Sequence, residues 1–223
     1  MKETLLFSNV VGDIFLQNNS NLRFNKHMEE YLKTKIDSTY NLVFVNAPGL
    51  GGEENYLDNI VTCFQNIGIK FNDILDVKVS SEYDKIKDYI AKHDRIIYFL
   101  MGGNPITQMQ IIDKFKLREE IKKHDGLVIG FCAGALNLSK YAIITTDEDF
   151  KEAGMSYLGV GRVPIIVESH YNSTTDEKRN SELYDFAKKY NERIYAIPDS
   201  SMIVVKDNEA IEYGKIYYFD CSK

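Results

Sequence analysis

The chain has 223 residues, of which 44% are hydrophobic and 27% charged, a balance that excludes disordered and fibrous classes and supports a sizeable core. Its 27 Lys and Arg against 33 Asp and Glu give a formal charge of -6, and no basic run exceeds a pair such as Lys122-Lys123, so the electrostatic footprint of a nucleic-acid binder is missing. No apolar stretch approaches the roughly 20 residues of a membrane helix, and no signal-peptide pattern opens the chain, so the cytoplasm is the expected location.

Short apolar runs rich in β-branched and aromatic residues occupy 4–7, 41–45, 74–77, 95–100 and 127–131. They are nearly continuous rather than alternating, as strands buried on both faces are. Between them Tyr56, Leu57, Ile60, Val61, Phe64 and Ile67 follow helical spacing, and so do Ile106, Met109, Ile112, Phe115 and Ile121. This β-α-β-α order predicts a three-layer α/β/α sandwich around a mostly parallel sheet. Beyond about residue 140 the expected strands are 163–167, 194–197, 202–205 and 216–219, around one helix over 174–190. That helix opens on the capping box Thr174-Thr175-Asp176-Glu177 and is predicted to bury Leu183, Phe186, Ala187 and Tyr190. The tighter spacing makes this half partly antiparallel. No Pro/Gly/Ser-rich linker divides the chain, so one domain over 1–223 is expected.

The three cysteines, Cys63, Cys132 and Cys221, form no C-x-x-C pair, which argues against a disulfide framework or a zinc site, and no cofactor is expected. Cys132 stands apart in Gly130-Phe131-Cys132-Ala133-Gly134, after a buried strand and before a short helical stretch over 133–138. This is a G-x-nucleophile-x-G pattern, in which small flanking residues let a strand-to-helix turn close and the following N–H groups face the reacting carbonyl. At about 7% glycine, chance gives two such neighbours to one of three cysteines on the order of 1–2% of the time. A buried structural cysteine in a glycine-rich turn is the alternative. Met101-Gly102-Gly103-Asn104-Pro105 ends the 95–100 strand, where ligands of parallel sheets gather, and is a candidate oxyanion-binding turn; Asn104 is also placed to cap the next helix.

Of four histidines, His27, His93 and His124 fall in polar helical stretches, where solvated surface side chains are expected. His170 instead follows an apolar strand in Glu168-Ser169-His170-Tyr171-Asn172, a sheet-edge loop. Asn172 two residues on excludes an H-x-E arrangement. The best remaining carboxylate to orient the imidazole is Asp199, in Ile197-Pro198-Asp199-Ser200-Ser201, although an aspartate after proline is also an ordinary turn residue.

These motifs together resemble peptidase E, the aspartyl dipeptidases, and their cyanophycinase relatives within the class I glutamine amidotransferase-like superfamily. Gly102-Gly103-Asn104-Pro105 resembles the family's G-G-N-T segment, and Gly130-Phe131-Cys132-Ala133-Gly134-Ala135 its G-x-S-A-G-A elbow, with Cys132 where the family carries serine. The resemblance implies catalytic roles for Cys132, His170 and Asp199, an oxyanion hole from Gly103 and Ala133, and substrate contacts from Gly102, Asn104, Asp176 and Arg179. The family's T-R-E-x-R stretch, whose first arginine reads the substrate carboxylate, matches Thr175-Asp176-Glu177-Lys178-Arg179, with aspartate in that arginine's place. The implied activity is hydrolysis of a short peptide or other small amide, without aspartyl preference. A homodimer remains open. A glutaminase-type amidase and a non-catalytic thiol sensor or ligand-binding module are the alternatives.

Overall fold

The structure, a computed structural model, describes residues 2–12, 20–48, 56–146, 154–173 and 177–221. The five apolar runs that precede the elbow are strands β1 (Glu3–Phe7), β2 (Asn41–Val45), β3 (Ile74–Val77), β4 (Ile96–Leu100) and β5 (Leu127–Phe131). Helices α1 (Lys26–Lys35), α2 (Tyr56–Asn66), α3 (Tyr83–Lys92), α4 (Pro105–Lys114) and α5 (Leu117–Lys123) connect them. The helical pattern over 106–121 proves to be two helices, because Lys116 adopts a left-handed backbone at φ 54° and breaks the run. After the elbow come α6 (Ala133–Leu138), β6 (Tyr141–Ile144), β7 (Met155–Leu158), β8 (Ile166–Glu168), α7 (Glu177–Tyr190), β9 (Ile194–Ala196), β10 (Met202–Lys206), β11 (Glu209–Tyr213) and β12 (Tyr217–Phe219).

The main sheet runs β11-β10-β1-β5-β4-β2-β3. Its pairings from β1 through β5, β4 and β2 to β3 are parallel, while β10 and β11 join antiparallel at the other edge. Strand side chains alternate between faces, and the two faces build two cores. Leu5, Phe7, Phe44, Phe99 and Ile129 pack with Met28 and Leu32 of α1 and Ile60 and Phe64 of α2. Leu6, Val43, Tyr98 and Val128 pack on the opposite side with Ile86 of α3, Ile112 of α4, Ile121 of α5 and Leu138 of α6. The expected α/β/α sandwich with a partly antiparallel C-terminal part is thus the observed fold.

A third core belongs to α7, whose Leu183, Phe186 and Ala187 cover a small sheet ordered β12-β9-β8. Tyr190 is partly buried there, stacked on Tyr141 with ring centroids 4.0 Å apart. The expected strand at 163–167 starts later, at Ile166, since Pro164 has no N–H to donate to a ladder. Residues 174–176, the start of the expected capping box, lie outside the described residues. Among the described residues no helix is long and apolar enough to cross a membrane.

Candidate active site

The carboxyl ends of β1, β5 and β4 lie side by side in the sheet, and the segments leaving them converge at one edge. Cys132 links β5 to α6 with φ 49° and ψ -109°, a region costly for any residue with a Cβ. Four hydrogen bonds hold it there. Its N–H donates to the Phe7 carbonyl at 2.9 Å, and its own carbonyl accepts from the Ala135 and Leu136 N–H groups at 2.9 and 3.1 Å and from Ser169 Oγ at 3.2 Å. The flanking glycines have a steric reason. A Cβ at Gly134 would lie 2.1 Å from the Leu100 carbonyl oxygen, and one at Gly130 would lie 2.8 Å from the Ala135 nitrogen. Helix α6 therefore packs on β4 and β5 backbone to backbone, which sets the turn that presents the Cys132 side chain.

His170 follows β8, also with a left-handed backbone, φ 52°. Its Nδ1 lies 2.7 Å from Asp199 Oδ1, and the ring also hydrogen bonds to Cys132. Burial disfavours a charged ring, but its electrostatic interaction with Cys132 and its hydrogen bonds to Asp199 and Cys132 outweigh it, so the His170 pKa is pushed up to about 10. The same bond, opposed by partial burial, lowers the Asp199 pKa. The structure thus brings together the three side chains singled out in the sequence.

Two polar residues at the end of β1 escaped sequence reading. Asn9 Nδ2 donates to Asp199 Oδ2 at 3.1 Å, and Ser8 Oγ donates to the Ile197 carbonyl at 2.7 Å, so this segment braces the Asp199 turn from below. Their place just beyond the first buried strand of a parallel sheet was the available signal.

Gly103 and Ala133 line the same cleft as Cys132 and His170. Gly103 has φ 128°, and a Cβ there would lie 2.0 Å from the Ala47 carbonyl oxygen, so only glycine fits. Ala133 is the first residue of α6, and a first-turn N–H has no acceptor within its own helix. Gly102 packs against the nucleophile turn, where an added Cβ would lie 3.1 Å from Cys132 Cβ. Asn104 is buried and its side chain accepts the Thr107 N–H at 3.0 Å, which makes it the cap of α4. Asp176 lies outside the described residues. Arg179 borders the cleft but spends its donors on the protein: Nε donates to Glu168 Oε1 at 2.8 Å, and the terminal nitrogens reach the same carboxylate and the Ser169 and His170 carbonyls.

Of the remaining histidines, His27 is exposed as its sequence surroundings predict, whereas His93 and His124 are less exposed than predicted. His124 folds under α5, with Nε2 2.9 Å from the Ile96 carbonyl and its ring edge-on to Tyr98, and burial lowers its pKa. The His93 side chain is only 12% exposed, packed on Tyr89.

The model of peptidase family S51 matches residues 14–213, nearly the whole chain, Cys132, His170 and Asp199 included. The chain belongs to peptidase family S51. A solved structure bears out the fold of this peptidase: the 1.5 Å crystal structure of a candidate peptidase E protein from Listeria monocytogenes EGD-e is similar over 96% of this chain and 98% of that one, with a TM-score of 0.64 and 17% sequence identity. No curated protein sequence matches this S51 chain significantly.

Proposed function

We propose that this S51 peptidase hydrolyses short peptides with Cys132 as nucleophile, His170 as proton carrier and Asp199 as the group that orients it, although the family is serine-type. The observation that carries this reading is the contact chain Cys132–His170–Asp199 at a left-handed elbow, with Nδ1 bound to the carboxylate at 2.7 Å. With Nδ1 held there, Nε2 is left to face the sulfur. The Cys132 thiolate attacks the scissile carbonyl carbon, and the resulting oxyanion is received by the Gly103 and Ala133 N–H groups. The His170 imidazolium protonates the leaving amine as the C–N bond breaks, which leaves a thioester. The now neutral ring takes a proton from water, the hydroxide displaces Cys132, and the thiolate–imidazolium pair is restored.

The test is a dipeptide panel, with free glutamine included, assayed on the wild type and on Cys132→Ala. Dipeptide cleavage that disappears in Cys132→Ala is the expected result. Full activity in Cys132→Ala would overturn the assignment, and Cys132-dependent ammonia release from glutamine alone would turn it into an amidase.

A further inference from the structure

The cleft beside Cys132 constrains what it accepts. Its carbon walls come from Pro105 at the start of α4, Leu136 of α6, and Ile143 and Ile144 of β6. Among the described residues, the charged ones lining it are Glu168 and Arg179, which are 2% and 9% exposed, together with His170 at the catalytic end. Glu168 Oε1 accepts from Arg179 and, at 2.6 Å, from Thr145 Oγ1. Burial raises the Glu168 pKa, and the Arg179 charge pulls it back. Because an arginine stays protonated in proteins, a contacting carboxyl is held as its counter-ion. The pair is therefore neutral as a unit, and its donors also serve the Ser169 carbonyl at 2.6 Å and the His170 carbonyl at 3.4 Å.

A substrate carboxylate entering this cleft would lose water against aliphatic walls and meet, among the described residues, two cations, Arg179 and His170, that already have carboxylate partners. An ammonium would meet a carboxylate whose charge Arg179 already neutralises, with three donors converging on its Oε1. Desolvation without a free partner disfavours either charge strongly. We propose that this cleft is the acyl-side subsite and that it selects short peptides whose residue before the scissile bond is uncharged and aliphatic, with the Glu168–Arg179 pair excluding acidic and basic side chains alike. The proposal rests on Cys132 being the nucleophile.

The experiment compares kcat/KM for Ala-, Val-, Met-, Asp- and Lys-dipeptides that share one leaving residue. The wild type is expected to favour the best uncharged member at least tenfold over Asp- and Lys-dipeptides. Glu168→Gln keeps the shape and the acceptor but leaves the Arg179 charge uncompensated, so the Asp-to-Ala ratio should rise at least tenfold. Should that variant fail to fold, Leu136→Lys places a cation on the partly exposed wall of α6 and should raise the same ratio. Wild-type cleavage of Asp- or Lys-dipeptides as fast as Ala-dipeptides, or an unchanged ratio in the folded variants, overturns the subsite assignment. If no dipeptide is turned over, it is the catalytic reading that falls. The subsite is then read by protection of Cys132 from iodoacetamide: protection by Val-Gly and not by Asp-Gly supports it, and equal protection by the two overturns it.

Discussion

Cys63 and Cys132 carry the same thiol in opposite settings. Cys63 lies in the middle of α2, fully buried in the core shared with α1, and burial pushes its thiol up to about 12. Cys132 sits at the sheet edge on a left-handed turn, partly exposed, against a histidine that is itself bound to a carboxylate. Residue type is constant across this pair, so the chemistry comes from placement. A helix interior surrounds the side chain with carbon, which makes Cys63 a small hydrophobic residue. A strand-to-helix elbow carries the side chain to the edge of the sheet, where it lines one cleft with His170.

The largest break in this contrast removes one partner at the elbow. Cys132→Ala and His170→Ala are each expected to lower kcat on the best dipeptide by about 10⁴-fold or more, since the proposed nucleophile and base act as a unit. Iodoacetamide at neutral pH should label Cys132 ahead of Cys63 and Cys221, and His170→Ala should slow that labelling. Equal labelling of the three thiols would place Cys132 in the same class as Cys63.

Next in size is Asp199→Asn, expected to cost about 10³–10⁴ in kcat by analogy with other triad aspartates. Its pH profile gives a second readout. In the proposed mechanism the charged ring is the working form, so activity is expected to fall as pH rises through the His170 pKa, about 10 in the intact protein. Asp199 helps raise that value through its hydrogen bond and charge, so the asparagine variant should lose activity at lower pH. Stability carries the same sign: the contribution of a raised histidine is full below its ordinary value of about 6.5 and is lost as pH rises through about 10. An alkaline limb that stays put in Asp199→Asn would remove Asp199 from the site.

Much of this arrangement was legible in the chain because both its scaffold and its site rest on strong local signals. The runs at 41–45 and 127–131 are strands at those bounds with every residue buried, as near-continuous apolar runs in a parallel sheet imply, while 74–77 keeps its bounds at the sheet edge, partly exposed and interrupted by Asp76. Elements that bury little left a fainter trace. Helix α3 buries only Ile86, and β11 sets Ala210 and a half-exposed Ile211 between Glu209 and Glu212, so neither stands out by apolar content. The cross-chain bonds were not legible at all. Asn9 meets Asp199 across 190 residues, and Arg179 turns away from substrate toward Glu168, because tertiary packing decides which polar groups are left to pair.

A smaller effect is expected from Gly134→Ala. Alanine gains about 1 kcal/mol over glycine in a helix. That gain is set against a Cβ 2.1 Å from a backbone oxygen, and the Leu100 carbonyl cannot swing aside as a side-chain tip could. Overpacking of this kind costs about 1–3 kcal/mol, so the variant should melt earlier and, with α6 displaced, lose part of its kcat. A variant more stable than wild type would show that α6 does not need this close approach.

The smallest expected effect lies at the other thiol. Cys63→Ser exchanges a fully buried S–H for a hydroxyl. Burying an unpaired hydroxyl costs about 1–3 kcal/mol in proteins, but within a helix serine can donate to the carbonyl four residues back, here Asn59 in α2, which brings the cost toward about 1 kcal/mol. For a chain of this length that is a fall of about 2–4 °C in Tm. Because α2 packs on the face of the sheet away from α6, kcat should stay at the wild-type value while stability falls. A tenfold change in kcat from this substitution would mean that the core under α2 is coupled to the elbow, and that the separation between a packing thiol and a reacting one is incomplete.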